Sequence, residues 1–455
     1  MSPRCFLLAL LFVCLSSSVF AQADRPNVVL ILSDDQAWTD YGFMGHADIQ
    51  TPHLDKLAQQ SAVFKRGYVP TALCRPSLAT LMTGHYASVH GVTGNDPSPK
   101  YAERNSDLYN KRCAQLISYL DRFDTVPELL SMRGYLSHQS GKFWEGSYQH
   151  GGFTHGMTRG FPERGGRHGD DGLKIGRQGM KPVADFVEMA TAEEKPFYLW
   201  YAPFLPHTPH TPPERILKKY RSDDRPITIA KYYAMCDWFD ETCGQLIQIL
   251  EDNGQRDNTL IVYVTDNGWI QNPARNGYAP RSKQTPYEGG VRTPIMYSWP
   301  GVIPPGERDE VVSSIDIVPT MLAAAGAEIP NDLPGLNLLS SLKSGDAIER
   351  ERIFGEGFAH DIADIEDPEE SLLYRWVIED KWKLLLTYDG EVNRYQSSHP
   401  RDEMRPQLFD LKSDPFEEQN LAGEHPDVVA RLADAIQDWY PVKKRKVITD
   451  YTASE

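Results

Sequence analysis

The stretch that decides the fold is Val28-Val29-Leu30-Ile31-Leu32, which runs into Ser33-Asp34-Asp35. Consecutive apolar residues of this kind predict a strand that is buried on both faces. Similar runs recur along the chain and alternate with amphipathic segments. This pattern favours an α/β fold with a large, mainly parallel sheet flanked by helices. Further strands are predicted at Tyr135–Ser140, Phe197–Tyr201 and Leu260–Val264.

Three helices have recognisable signals between these strands. Thr51 and Pro52 provide a cap and a first-turn proline for a helix that we expect to extend to Phe64. A second helix is predicted from Pro76 to Met82, closed by Gly84, and the longest from Lys231 to Glu251.

The composition changes after about residue 350, and a smaller α+β subdomain is predicted from there to the end of the chain. Its strands are expected within Trp376–Thr387 and Gln407–Leu411, and a closing helix at Pro426–Trp439. The predicted organisation is therefore residues 1–23 as a leader, 24–350 as the main domain, and 351–455 as a C-terminal subdomain.

The leader prediction depends on a short basic start, an apolar run from Phe6 to Phe20 and small residues at Ala21-Gln22-Ala23, which are typical of a secretory signal peptide. We therefore expect an exported protein, periplasmic or secreted, with no membrane span after cleavage. The formal net charge of −16 argues against nucleic acid or anionic membranes as partners. Any site for an anion must consequently be basic locally.

Polar side chains follow each predicted strand. Ligands of open α/β sheets bind beyond the carboxyl ends of the strands, so these side chains are expected to converge on one crevice. Three carboxylates and an amide form an oxygen-rich set that suits calcium or magnesium. Each aspartate taken alone more often caps a turn or a helix, so the prediction depends on their shared placement. The converging residues are Asp34, Asp35, Lys142, His207, Asp266 and Asn267.

Cys74 stands just before a predicted helix, where free N–H groups and the helix dipole stabilise anions. This position suits a reactive thiolate or a group that attacks an anion. The alternative is a buried structural cysteine. Cys5 and Cys14 belong to the predicted leader, and the remaining cysteines do not form a disulfide framework.

The segment Leu73-Cys74-Arg75-Pro76-Ser77-Leu78-Ala79-Thr80-Leu81-Met82-Thr83-Gly84 resembles the signature of the type I sulfatases, in the alkaline phosphatase superfamily. Other segments resemble the same family in the same order and cover nearly the whole chain after the leader. They are Arg25 to Asp35, Thr51 to Asp55, Gly141-Lys142, Ala202 to Pro209, Thr265 to Gly268, Tyr287 to Pro294, and Leu408 to Leu421.

This resemblance implies that Cys74 is oxidised by a maturation enzyme to formylglycine, whose hydrate is the nucleophile that attacks a sulfate ester. It also implies that Asp34, Asp35, Asp266 and Asn267 bind Ca²⁺ together with the modified Cys74. Sulfate oxygens would be held by Lys142, His207 and Lys283, and either His207 or Lys283 would protonate the leaving alcohol.

Two positions depart from the family pattern. Leu78 stands where the signature has arginine, and Trp144 stands where the second signature has histidine. Both missing side chains contact the nucleophile in the family, and the missing arginine is part of the usual maturation target. The residues that could substitute are Arg75, Arg167, His168 and Arg177, and of these we include His168 among the substrate-binding residues. Its segment, Gly165 to Asp171, otherwise reads as a solvent-exposed loop.

Three functions are compatible with these residues. The first is hydrolysis of a sulfated carbohydrate or another organic sulfate. The second is hydrolysis of a phosphonate or phosphodiester with the same nucleophile and metal, and the third is a non-catalytic protein that binds sulfated glycans. The chemical state of Cys74 separates the third from the other two.

Overall fold

The computed structural model describes residues 25–100, 103–399, 404–445 and 447. The predicted leader, residues 1–23, lies outside the described residues.

The core of the main domain is a nine-stranded sheet with the order β10-β2-β8-β7-β1-β6-β4-β5, and β9 pairs with β2. The central strands β1, β4, β6 and β7 are parallel, whereas β8 runs antiparallel to both β2 and β7. The mainly parallel α/β sheet is therefore confirmed. Its strands are β1 (Asn27–Ser33), β2 (Ala62–Tyr68), β4 (Leu136–Gly141), β5 (His155–Gly156), β6 (Phe197–Ala202), β7 (Thr259–Thr265), β8 (Arg292–Ser298), β9 (Gly306–Arg308) and β10 (Val312–Ser313), and a separate short strand is β3 (Asp96–Pro97).

Helices cover both faces of this sheet, which explains why β1 is apolar from Val28 to Leu32. Val28 and Leu30 pack into one hydrophobic cluster, and Val29 and Ile31 pack into the cluster on the opposite face, as the alternation of side chains along a strand requires. The helices are α1 (Pro52–Gln59), α2 (Cys74–Thr83), α3 (Ala87–His90), α4 (Asp107–Ile117), α5 (Val126–Ser131), α6 (Lys181–Ala192), α7 (Glu214–Leu217), α8 (Ile227–Asp252), α9 (Glu288–Val291), α10 (Ile317–Ala324), α11 (Leu339–Ser344) and α12 (Pro426–Trp439).

One predicted helix was too long. The helix that begins at Pro52 ends at Gln59, and Ala62–Tyr68 forms β2 instead of continuing it. The strand is held by long-range pairing, in which Val63 lies opposite Met296 of β8. The apolar residues Ala62 to Phe64 suit either a helix or a strand, and only this pairing decides between them.

The C-terminal subdomain is a four-stranded antiparallel sheet covered by α12, as predicted. Its strand order is β11-β13-β14-β15, and α12 packs Val429, Leu432 and Ile436 onto its apolar face. The predicted strand region that begins at Trp376 is a hairpin of two strands. The strands of this part of the chain are β11 (Arg352–Phe358), β12 (Asp361–Ile362), β13 (Leu372–Glu379), β14 (Trp382–Thr387) and β15 (Gln407–Asp410), and β12 pairs with β3 of the main domain.

A buried ion-pair network joins the small sheet to the large one. Lys383 of β14 is fully buried, and its Nζ lies 2.8 Å from Glu288 Oε1 and 2.9 Å from Glu417 Oε1. Tyr68 of β2 donates a hydrogen bond to Glu288 at 3.0 Å. The ammonium group therefore neutralises carboxylates that are buried between the two sheets.

We expect Lys383→Ala to lower the free energy of unfolding by about 3–5 kcal/mol, because it leaves Glu417 buried without its countercharge and Glu288 with only the charge of Arg292, at 3.4 Å. Chemical denaturation measures the change. The matched control is Lys381→Ala, which removes a half-exposed partner of Asp410 and should cost less than about 1 kcal/mol. Equal losses in the two variants would contradict a special role for the buried lysine.

Candidate active site

The residues predicted to converge do lie together beyond the carboxyl ends of four neighbouring parallel strands. Asp34 and Asp35 follow β1, Lys142 follows β4, His207 lies beyond β6, and Asp266 follows β7. Their proximity results from the order of the strands β7-β1-β6-β4 in the sheet, since parallel neighbours end at the same edge.

Cys74 reaches this crevice as the first residue of α2. Its side chain is buried, and Sγ lies 3.0 Å from Lys283 Nζ and 3.8 Å from Asp35 Oδ1. Burial raises the pKa of Cys74 to about 12, although the charges of Lys142 and Lys283 oppose the change. The unmodified thiol therefore stays protonated at neutral pH and is a poor nucleophile.

Two buried lysines neutralise the carboxylates of the crevice. Lys142 Nζ donates to Asp34 Oδ1 at 2.6 Å and lies 3.5 Å from Asp266 Oδ2. Lys283 Nζ donates to both oxygens of Asp35, at 2.6 and 2.8 Å. Burial raises the pKa of Asp35, but the charge and hydrogen bonds of Lys283 outweigh it and leave the pKa below its ordinary value. The pKa of Asp34 is instead raised, because burial outweighs Lys142.

Three oxygens in the crevice are buried and lack a hydrogen-bond partner: Asp34 Oδ2, Asp266 Oδ2 and Asn267 Oδ1. Unpaired buried acceptors are costly, and a cation that is coordinated by oxygen would satisfy all three. Asp34, Asp35, Cys74 and His207 also place ligand atoms within 4.8 Å of one another. The carboxylate and amide oxygens of the crevice fit a hard divalent cation such as Ca²⁺.

His207 is oriented by its own backbone neighbourhood. Nδ1 lies 2.6 Å from the carbonyl oxygen of Thr208, so this nitrogen carries a proton and donates. Nε2 lies 3.4 Å from Asp35 Oδ2, and the ring stacks on Phe204 with the centroids 4.2 Å apart. Burial and the two lysine charges lower the pKa of His207, although Asp35 opposes them.

The two departures from the family pattern have different surroundings, because Trp144 lines the cavity beside the crevice and Leu78 does not. Leu78 is buried in the core on the inner face of α2. Arg75 does not replace the missing arginine, because it forms a buried bidentate pair with Glu145 at 2.6 and 2.8 Å. Arg177 is also engaged, since it donates to the backbone oxygens of Phe204 and His207.

The expectation of a solvent-exposed loop around His168 is wrong. The ring of His168 lies edge-on to Trp144, with the centroids 5.4 Å apart, and stacks on Phe204 at 5.2 Å. Its Nδ1 is buried and has no hydrogen-bond partner. His168 is therefore packed into the wall of the crevice, whereas the sequence around it, rich in glycine and charge, indicated only a loop.

The crevice opens into a cavity of about 470 Å³ whose wall is shared between the main domain and the C-terminal subdomain. His168, His207 and Lys283 line it, as the sequence indicated. Sequence reasoning missed the other polar residues of the wall, because none follows a predicted strand of the large sheet. They include Asn95, Arg104, Gln284, His360 and Arg394.

None of the described helices is both long and apolar enough to cross a membrane.

The fold and this crevice define a hydrolase of the alkaline phosphatase superfamily. The family profile described as "Sulfatase" matches residues 26–327, and the profile described as "N-sulphoglucosamine sulphohydrolase, C-terminal" matches residues 280–440. The chain belongs to the type I sulfatase family and is a sulfatase, an enzyme that hydrolyses sulfate esters.

Similar proteins cover nearly the whole chain. Arylsulfatase A from Homo sapiens is 28% identical over 95% of this chain and 90% of its own length. N-acetylgalactosamine-6-sulfatase from Homo sapiens is 26% identical over 90% of this chain and 85% of its own length. The crystal structure of Ps i-CgsB in complex with k-i-k-neocarrahexaose shares the fold, with a TM-score of 0.69, 23% identity, and coverage of 94% of this chain and 96% of that one.

Proposed function

We propose that this sulfatase is an exported, calcium-dependent enzyme that removes sulfate from a carbohydrate with a formylglycine made from Cys74. The observation that carries the proposal is the position of Cys74 Sγ, which lies 3.0 Å from Lys283 Nζ and beside carboxylates with unpaired oxygens. A carbohydrate is the favoured substrate class because N-acetylgalactosamine-6-sulfatase and a structural neighbour in complex with k-i-k-neocarrahexaose match most of the chain. Export is proposed from the leader-like residues 1–23.

The proposed cation would be held by Asp34, Asp35, Asp266, Asn267 and the modified Cys74, and it would supply a Lewis acid for a sulfate oxygen. Formylglycine, as its hydrate, would supply an oxygen nucleophile and a second hydroxyl through which sulfate is released. No unmodified residue of the crevice offers both hydroxyls on one carbon.

Three side chains are proposed to stabilise charge and to transfer a proton in the reaction. Lys142 and Lys283 carry positive charge into a buried site and are fixed by Asp34 and Asp35, so they are preorganised to stabilise negative charge as the S–O bond breaks. His207 presents Nε2 to the cavity because Nδ1 is committed to the carbonyl oxygen of Thr208. Nε2 can give a proton to the leaving alcohol only when both ring nitrogens are protonated, so we propose His207 in its imidazolium form as the proton donor, with Lys283 as the alternative. His168 is proposed to contact the sugar with the part of its ring that lines the cavity.

Two substrates that differ in their leaving group can distinguish charge stabilisation by Lys142 from proton donation by His207. Lys142→Ala should lower kcat by roughly 10²-fold or more for a sugar sulfate and for 4-nitrophenyl sulfate alike, because both develop the same charge on sulfate. His207→Ala should lower kcat roughly 10²-fold or more for the sugar sulfate and much less for 4-nitrophenyl sulfate, whose phenolate leaves without a proton. Equal losses on both substrates for His207→Ala would assign the proton to Lys283.

Mass spectrometry tests the nucleophile directly. The peptide that spans Cys74, taken from protein made in the native host, should carry an aldehyde or its hydrate. A foreign host does not provide this test, because Leu78 departs from the usual maturation target and a tolerant maturation enzyme is then required. Unmodified thiol in the native host, without sulfatase activity, would instead support the binding protein.

A further inference from the structure

Three arginines gather around one buried carboxylate in the cavity wall. Asp96 accepts hydrogen bonds from Arg167 Nε at 2.7 Å, from an Arg104 Nη at 3.0 Å and from an Arg394 Nη at 3.2 Å. Tyr109 OH donates to the same carboxylate at 3.3 Å. Arg104, Arg167 and Arg394 all line the cavity that contains His207 and Lys283, so this arginine cluster and the catalytic crevice share one space.

The arginine cluster is held by backbone pairing between the two domains. Asp96 of β3 pairs with Asp361 of β12, whose carboxylate binds the guanidinium of Arg394. His360 Nδ1 lies 2.7 Å from Asp361 Oδ1, and its Nε2 lies 3.2 Å from Asn95 Nδ2. The carboxylates of Asp96 and Asp361 are therefore held in place at the buried contact between β3 and β12, and they hold the arginine side chains in place.

The three arginine side chains are partly exposed where they line the cavity, and each has N–H donors that Asp96 does not engage. The side chains of Arg104, Arg167 and Arg394 are 49%, 37% and 36% exposed, whereas that of Asp96 is 4% exposed. A guanidinium has five N–H donors in a fork that matches sulfate or carboxylate oxygens, and Asp96 engages only one or two of them on each arginine.

A cation is an unsuitable occupant. Asp96, His360 and Asp361 have the spacing of metal ligands, but three guanidinium groups face two carboxylates there. Burial raises the pKa of Asp96, and the hydrogen bond and charge of Arg167 overcome it and hold the pKa below its ordinary value. The arginine cluster is thus a local excess of positive charge in a chain whose net charge is −16.

Trp144 contacts both cationic regions. Its ring centroid lies 5.1 Å from Lys142 Nζ and 5.3 Å from Arg167 Cζ. The lysine of the catalytic crevice and the arginine cluster therefore lie against the same indole ring, close enough for one oligosaccharide to reach both.

We propose that Arg104, Arg167 and Arg394 form a second anion subsite, which binds a further sulfate or carboxylate of the carbohydrate whose scissile sulfate lies at Lys142, His207 and Lys283. The inference depends on the proposed function, and it narrows the substrate to oligosaccharides that carry at least two acidic groups. A substrate with a single sulfate leaves the arginine cluster without a ligand.

The test measures affinity in the full chain carrying Cys74→Ala, so that turnover does not interfere. Calorimetry compares size-matched oligosaccharides with one and with several sulfates, from a galactan and from a galactosaminoglycan. The galactosaminoglycan oligosaccharide is also measured after its carboxyl groups have been reduced. Affinity that is lost on reduction assigns the arginine cluster to a carboxylate, and affinity that is retained assigns it to a second sulfate. In one of the two series, we expect the oligosaccharide with several sulfates to bind at least about tenfold more tightly than the one with a single sulfate. Charge-assisted hydrogen bonds to the arginine cluster would provide this gain in affinity.

Adding Arg104→Gln and Arg394→Gln together should remove this preference and leave the affinity for the monosulfated form within about twofold. Arg104→Gln alone, at the most exposed of the three positions, serves if the double variant does not fold. Arg215→Gln is the matched control, because Arg215 forms an exposed pair with Glu241 outside the cavity wall.

Equal affinity for the two forms in both series, no binding of either form, or a preference that survives in the arginine variants would overturn the subsite. Turnover of the same oligosaccharides by the unsubstituted protein tests the subsite and the proposed sulfatase mechanism separately. Hydrolysis without charge preference rejects only the subsite, whereas preference without hydrolysis rejects only the proposed catalysis.

Discussion

Asp34→Ala and Asp266→Ala are each expected to abolish calcium binding and to lower sulfate ester hydrolysis by roughly 10³-fold or more. Each variant removes a buried oxygen that has no hydrogen-bond partner within the protein. Loss of the cation would also remove its polarisation of the sulfate, which is worth several kcal/mol of transition-state stabilisation. Elemental analysis of the purified protein and kinetics with and without a strong chelator measure the two effects.

Asp240→Ala is the matched control for this prediction. Asp240 is also a buried aspartate, but it caps α1 by accepting from the backbone N–H groups of His53 and Leu54. Its removal should cost stability and leave bound calcium and kcat unchanged. Full activity of the unsubstituted protein in chelator, with no metal in the purified protein, would reject the calcium proposal.

The convergence of Asp34, Lys142, His207 and Asp266 was predictable because each follows a parallel strand of the same sheet. A long apolar run identifies such a strand from local sequence alone, and parallel topology then places all carboxyl ends at one edge. The closing helix Pro426–Trp439 was predictable for a similar reason, since its first-position proline and amphipathic pattern are local.

The arginine cluster could not be predicted in this way. Its central residue, Asp96, lies in a strand of only two residues that pairs with Asp361, far away in the sequence. Strands this short carry no periodicity, and the guanidinium groups of Arg104 and Arg394 meet there only because the C-terminal subdomain docks onto the main domain. The end of α1 at Gln59 was mispredicted for the same reason, because long-range pairing selects β2.

Cys74→Ala is expected to lower turnover by roughly 10⁴-fold or more, the loss that is typical when a catalytic nucleophile is removed. Cys113→Ala is the matched control, since this half-buried cysteine lies on α4 outside the cavity wall. It should retain full activity. Steady-state kinetics on one sulfate ester compares the two variants.

Cys74→Ser separates the proposed formylglycine from a simpler nucleophile. A serine hydroxyl could attack sulfate, but the resulting sulfate ester has no second hydroxyl on the same carbon to expel sulfate, so at most a single turnover is expected. The unmodified thiol is no better, because burial raises the pKa of Cys74 to about 12 despite Lys142 and Lys283. A thiolate that did attack would be left as a thiosulfate-like adduct without an easy exit. Sustained turnover by a Cys74→Ser protein whose serine is shown by mass spectrometry to be unmodified would show that release does not need the hydrate and would reject formylglycine as the nucleophile.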